Sequence, residues 1–210
     1  MAGSGIVKGD DGRRRCVWAC SAPEYIAYHD DEWGRPVFDD NRLYEKLCLE
    51  GFQSGLSWLT ILRKRDAFRR AFKGFDPARV ARFGSRDVER LLGEASIVRH
   101  RGKIEATINN ASATLRVQDA HGSLAALVWS FEPSRRGRRA PRQMRDLAPS
   151  TPESNALSKE LLRLGFRFVG PTTVYAAMQS LGVVNDHFAG CVARTPCETQ
   201  RKGAQPPRFP

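Results

Sequence analysis

The stretch Leu91-Leu-Gly-Glu-Ala-Ser-Ile-Val-Arg-His-Arg-Gly-Lys-Ile104 contains the end of one helix, a turn and the start of another. Asp87-Val-Glu-Arg-Leu-Leu92 reads as a short helix, Ser96 to Arg101 as the turn, and Gly102-Lys103-Ile104 as the next helix start. Ile104, Ile108, Ala111 and Leu115 recur at helical spacing and stripe one face of that second helix. The result is a helix–hairpin–helix unit. A helix start presents free N–H groups and the positive end of its dipole, so a phosphate can settle there. Arg99, Arg101 and Lys103 stand at that start and are the candidate phosphate contacts. An ordinary helical hairpin with solvated charges fits the same stretch.

Outward from the hairpin, helical periods dominate. Leu43 and Leu47 share a face; Trp58, Ile61 and Leu62 begin another, followed by Phe68, Ala71 and Phe72. Asp76-Pro77 and Thr151-Pro152 are helix starts, and Gly165 and Gly182 are stops. Gly165-Phe-Arg-Phe-Val-Gly170 is a second hairpin candidate, with Phe166, Phe168 and Val169 reading as core. No convincing alternating strand pattern exists, and the class is all-α. Residues 1–12 and 195–210 read as disordered tails around a single unit at 13–194. The segment 132–151, with three prolines and Arg135, Arg136, Arg138 and Arg139, reads as a mobile surface loop.

The chain has 210 residues, 41% of them apolar, and a formal charge of +11. No apolar run is long enough to span a membrane, and the start lacks the apolar core of a signal peptide. Five cysteines with no disulfide spacing suit a reducing compartment. The charge suggests a polyanionic partner, nucleic acid first.

Two sets of residues carry candidate chemistry. Cys16 and His29 lie near one end, His187 and Cys191 near the other, and together they offer the two thiolates and two imidazoles of a closed tetrahedral zinc shell. Two buried thiols, a capping His29 and a surface His187 would read the same on paper. Trp18, Tyr25, Tyr28, Trp33, Phe38, Tyr44, Phe52 and Trp58 make the first quarter of the chain aromatic. Such rings usually fill a core, yet they also form slots for planar bases. Glu50, just before the Gln53–Trp58 segment, could place a carboxylate inside such a slot, where it would need a donor.

The blocks Tyr25-Ile-Ala-Tyr-His-Asp-Asp-Glu-Trp-Gly34, Leu49-Glu-Gly-Phe-Gln-Ser-Gly-Leu-Ser-Trp58, Ile97–Ile104, Ala156–Lys159, Gly165–Thr173 and Val184-Asn-Asp-His187 resemble the bacterial 3-methyladenine DNA glycosylase I family. The match runs from about Cys16 to Cys191. It implies a helix–hairpin–helix glycosylase fold, with a hairpin part at about 50–130 and a zinc-bearing part from 13–49 and 150–194. It also implies one structural zinc per chain on Cys16, His29, His187 and Cys191, joining the two ends. Its base pocket maps onto Glu50 as the base-reading catalytic residue, with Tyr28, Trp58, Trp18 and Trp33 binding the base. Its duplex-probing loop maps onto Gln53, Gly55 and Leu56. Two positions depart from the family pattern: Ser96 stands where a glycine with positive φ is common, and Phe52 where a polar residue would face the undamaged strand. The implied activity is monofunctional hydrolysis of 3-methyladenine from duplex DNA, without lyase chemistry, by a monomer. The implied location is the bacterial cytoplasm, or the nucleus or an organelle if the source is eukaryotic. Asp119 lies where related glycosylases carry a catalytic Asp, but this family lacks that residue. The competing readings are a zinc-containing DNA-damage recognition module without turnover and a zinc-clipped helical adaptor.

Overall fold

The structure, a computed structural model, describes residues 4–208. Ten helices follow a two-stranded ribbon: β1 Ile6–Lys8, β2 Arg14–Cys16, α1 Pro23–Asp31, α2 Asp40–Gln53, α3 Trp58–Ala71, α4 Pro77–Val80, α5 Ser85–Gly93, α6 Arg101–His121, α7 Leu124–Trp129, α8 Pro152–Arg163, α9 Pro171–Ser180 and α10 Arg194–Gly203. None of these helices is long and apolar enough to cross a membrane. Side-chain oxygens start several of them. Asp39 accepts from Arg42 N, Ser57 from Thr60 N, Asp76 from Ala78 N and Arg79 N, and Thr151 from Ser154 N.

The main core gathers the apolar faces of α2, α3, α6, α7, α8 and α9. Tyr44, Phe52, Phe68, Phe72 and Phe75 fill its centre, with Phe68, Phe72 and Phe75 stacked in series. Asp40 ties α2 to the far end of α6 and the start of α7, accepting from Gln118 Nε2, Leu124 N and Ala125 N at 2.7–2.9 Å. α5 and α6 form the hairpin read from the sequence. The side chain that caps α6 is His100, whose Nδ1 accepts from Lys103 N at 3.2 Å.

Several expectations are corrected. The start is not a disordered tail from residue 4 onward, because β1 pairs antiparallel with β2, Ile6 opposite Cys16. Residues 1–3 lie outside the described residues. The end is not a tail over Arg194–Gly203 either, and residues 209–210 lie outside the described residues. α10 buries Cys197 and Arg201, and the Arg201 guanidinium donates to Val183 O and pairs with Glu132 and Glu198. Its polar outer face hid its helical period. The segment 132–151 is not free: Gly5 N donates to Arg142 O, Ala189 N to Pro141 O, and Arg138 pairs with Asp186. It crosses the ends of the chain as a strap. Phe168 is not core but 42% exposed, with φ +57°. Phe52, expected to alter contact with DNA, is 1% exposed and packs on Phe68. Ser96 adopts no positive φ; its hydroxyl donates to Glu94 instead.

Candidate active-site cleft and metal centre

The four proposed metal ligands meet. Cys16 ends β2, His29 sits in the last turn of α1, and His187 and Cys191 lie in the loop before α10. All four are buried, with candidate ligand atoms within 4.8 Å of one another. His187 Nδ1 is 3.2 Å from His29 Nε2 and 3.7 Å from Cys16 Sγ, and Cys191 Sγ is 3.3 Å from His29 Nε2 and 3.6 Å from His187 Nδ1. A tetrahedral ion with ~2.3 Å bonds to sulfur and ~2.0–2.1 Å bonds to nitrogen gives S···N edges of about 3.5 Å and an N···N edge of about 3.3 Å. The spacing therefore fits such an ion. The outer ring nitrogens are also oriented: His29 Nδ1 lies 2.8 Å from Asp30, itself gripped by Arg15, and His187 Nε2 lies 3.0 Å from Trp33 O. Gly34, at φ +80°, passes so close that a Cβ there would lie 3.0 Å from His187 Nε2.

Against this cluster stand the rings of Trp18 and Trp33. Trp18 is 5.2 Å from His29 and 5.1 Å from Trp33, edge-on to both. From there an open cleft of about 380 Å³ runs between α1, the ends of α2 and α3, and α9. Trp18, Tyr28, Trp33, Glu50, Gln53 and Trp58 all line it, so the sequence-predicted pocket residues do converge. Tyr28 and Trp58 face each other at 5.6 Å, tilted by 41°. Met144 and Leu147 of the strap close the outer side. Next to the cleft a second hollow of about 230 Å³ holds Glu50, Gln53, Gly55 and Leu56 against Thr172 and Thr173 at the start of α9. Gly55, at φ +82°, turns the loop so that Leu56 stands 42% exposed.

Burial raises the Glu50 pKa, and Lys46 opposes the shift. Sequence reasoning missed Lys46. It lies one turn before Glu50, with Nζ 3.0 Å from Glu50 Oε1, 2.6 Å from Tyr28 Oη and 3.6 Å from the Trp58 ring centroid. The i, i+4 spacing of a Lys and a Glu was the available signal. Behind these rings Arg65 pairs with Glu32 and Arg69 with Glu45.

The hairpin residues separate. Arg99 is exposed, and Arg101 is exposed but bridges to Glu89 at 2.7 Å. Lys103 is corrected: it is 7% exposed, and its Nζ donates to Phe52 O and Ser54 O, so it pins the end of α2 rather than facing a phosphate. Asp119 is exposed on α6 and lines neither hollow.

A helical hairpin stands beside a cleft walled by rings and one buried carboxylate. The methyladenine glycosylase family model matches residues 18–195. The DNA-3-methyladenine glycosylase 1 of Escherichia coli K12 is 48% identical over 177 residues, 84% of this chain and 95% of that protein. A crystal structure of a 3-methyladenine DNA glycosylase I superposes with a TM-score of 0.82 at 48% identity, covering 86% of this chain and 99% of that one. A Staphylococcus aureus 3-methyladenine DNA glycosylase I, solved for the structural basis of 3-methyladenine recognition, gives 0.81 at 35% identity, covering 86% and 96%. The chain belongs to the methyladenine glycosylase family.

Proposed function

We propose that this chain is a DNA repair enzyme that hydrolyses the N-glycosidic bond of 3-methyladenine in duplex DNA and leaves an abasic site. The carrying observation is Glu50, a buried carboxylate on the wall of a cleft between Tyr28 and Trp58. The lesion must leave the stack to reach it, at a cost of about a few kcal/mol. Leu56, with Gln53 and Gly55, fills the gap left in the duplex. Methylation at N3 makes the base cationic and already a good leaving group, so the site need not supply a strong acid. Glu50 accepts from the 6-amino group, which selects adenine over guanine. Tyr28 and Trp58 hold the ring by stacking and cation–π attraction, and Trp18 and Trp33 shape the floor. No Lys is assigned as a Schiff-base nucleophile, so an abasic site and not a nicked strand is the expected product. The Cys16–His29–His187–Cys191 cluster holds one structural zinc, whose chemistry when bound is to clip the ends of the chain together, apart from the reacting bond. The protein works as a monomer in the bacterial cytoplasm.

The test is base release from methylated duplex DNA under single-turnover conditions. Tight binding of the damaged duplex with no released base would instead mark a recognition module without turnover.

The hairpin makes a separate prediction. Arg99→Ala with Arg101→Ala should weaken binding to all duplexes alike and flatten the salt dependence by about one to two counterions. Lys103→Ala should leave that slope alone and lower stability by about 1–3 kcal/mol, because it strands the buried Phe52 carbonyl. An unchanged slope in the arginine double variant removes the hairpin from the DNA interface.

A further inference from the structure

Behind the Tyr28–Trp58 wall lies a third, smaller hollow, lined by Lys46 with Glu32, Glu45, Arg65 and Arg69. Tyr28 and Trp58 line both this hollow and the cleft. Glu50 lines the outer cleft and not the small inner cavity, whereas Lys46 lines the inner cavity and not the cleft. Their side chains are 5% and 12% exposed, and Nζ is 3.0 Å from Oε1. The ammonium thus stands behind the wall that a base would stack on. It touches three groups of the base site at once: the Glu50 carboxylate, the Tyr28 hydroxyl and the face of Trp58.

We propose that Lys46 is a positioning residue for base excision: from behind the ring wall its ammonium holds Glu50 as a carboxylate at the cleft and fixes Tyr28 and Trp58 as the stacking surface. This rests on the reading of Glu50 as the base acceptor. In an apolar wall an unpaired carboxylate takes up a proton, and a protonated Glu50 meets the 6-amino donor less well. Burial raises the Glu50 pKa and Lys46 counters it; burial in turn lowers that of Lys46, and Glu50 counters that. The other charged groups around Lys46 are Glu32, after α1, Arg65 and Arg69, on α3, and Arg42 and Glu45, on α2; Arg65 pairs with Glu32 and Arg69 with Glu45. From α9 only Ala176, Gln179 and Ser180 reach the cleft and the hollow behind the wall, and none is charged. Lys46 is therefore the one cation paired directly with Glu50 among the described residues.

The experiment is the pH profile of single-turnover 3-methyladenine release by the full chain, Lys46→Met, Lys46→Arg, Glu50→Gln and the Lys46→Met/Glu50→Gln pair. A cation close to a carboxylate lowers its pKa by about one to three units, so Lys46→Met should shift the acid limb upward by about that much and recover as pH rises. Lys46→Arg should stay near the wild-type limb. The double variant should be no slower than Glu50→Gln alone. A Lys46→Met profile that overlies the wild type, or is lowered uniformly at every pH, overturns the proposal. Wild-type release by Glu50→Gln overturns the reading of Glu50 itself, whatever Lys46 does. If Lys46→Met does not fold, Lys46→Gln reads the same shift, since it keeps a donor for Tyr28 without the charge.

The strap carries a second, independent inference. Arg136, Arg139, Arg142 and Arg145 are exposed, and none of their guanidinium groups makes a hydrogen bond or ion pair with the described residues. The nearby acids are already engaged: Asp186 by Arg138, Tyr175 and Gln179, and Asp146 by the N–H groups of Arg142 and Gln143. The strap is pinned at Arg142 O and Pro141 O, and its Met144 and Leu147 wall the base cleft. The geometry points to these four arginines as a second contact to the phosphate backbone, beside the flipped nucleotide. Neutralising all four with Gln should flatten the salt dependence of duplex affinity by about two to four counterions, beyond what the hairpin variant removes. A slope equal to the wild type overturns it.

Discussion

Glu50→Gln should lower single-turnover release of 3-methyladenine by about ten- to a hundredfold, because a charge-assisted hydrogen bond is worth roughly 1.5–3 kcal/mol. The amide keeps the size of the carboxylate but loses its charge, and it adds an N–H₂ group that opposes the 6-amino donor of the base. Glu50 is the salt-bridge partner of Lys46, and the substitution leaves a buried ammonium facing only Tyr28 and Trp58. Burial lowers the Lys46 pKa and Glu50 opposes that shift, so the substitution removes the group that favours the charged ammonium. The loss of stability should then stay near about 1–3 kcal/mol, a fall in Tm of about 2–4 °C per kcal/mol. Affinity for undamaged duplex should stay close to that of the unaltered protein, since Glu50 touches only the flipped base. Release at the wild-type rate would make Glu50 a structural residue and remove the base-reading role from the cleft.

What the sequence disclosed follows from the range of the interactions involved. The hairpin was legible because its signals are local: Gly93 and Gly102 punctuate the turn, and the Ile104–Ala111 stripe sets the next helix. Asp76 and Thr151 likewise cap the helices they were expected to start. The cleft was half legible. Aromatic residues between Trp18 and Trp58 sort into core, as Tyr44 and Phe52 do, or wall, as Trp18, Tyr28 and Trp58 do, only once α1 lies against α3. Two lysines show the limit. Lys103 reads as a phosphate contact by its place at a helix start, but the end of α2 packs over it and supplies two carbonyls. Lys46 was missed because the partners that bury it, Tyr28 and Trp58, come from other helices. The ribbon and α10 were missed for the same reason. β2 is held in part by Val192 N, which donates to Arg14 O, and α10 by contacts from Arg201 to Val183 and Glu132, all far away in sequence.

The metal cluster makes the second large prediction. Protein purified without added metal should contain one zinc per chain, and Cys191→Ala should lose it. The four ligands come from β2, from α1 and from the loop before α10, so the ion would join both ends of the chain beside the Val192–Arg14 hydrogen bond and the Arg15–Asp30 ion pair. The small apolar cluster around it has only Cys16, Phe188, Cys191 and Ala193 fully buried, with Ile6, Trp18 and Leu147 packed on it. That is too little apolar surface to hold the two ends together by burial alone. Binding of a structural zinc is itself folding free energy, about 10–16 kcal/mol in isolated zinc fingers. Loss of one ligand should therefore cost more than the ~2–5 kcal/mol of an ordinary core truncation and lower Tm by about 10 °C or more. Because Trp18 and Trp33 rest edge-on against His29 and His187, the same variant should loosen the floor of the cleft and slow base release as well. A chelator that strips the ion should reproduce both effects in the unaltered protein, and zinc should restore them. Elemental analysis showing no zinc in the purified protein, or a Cys191→Ala variant that melts with the wild type, would leave the cluster as four buried polar side chains and break the proposed clip between the ends.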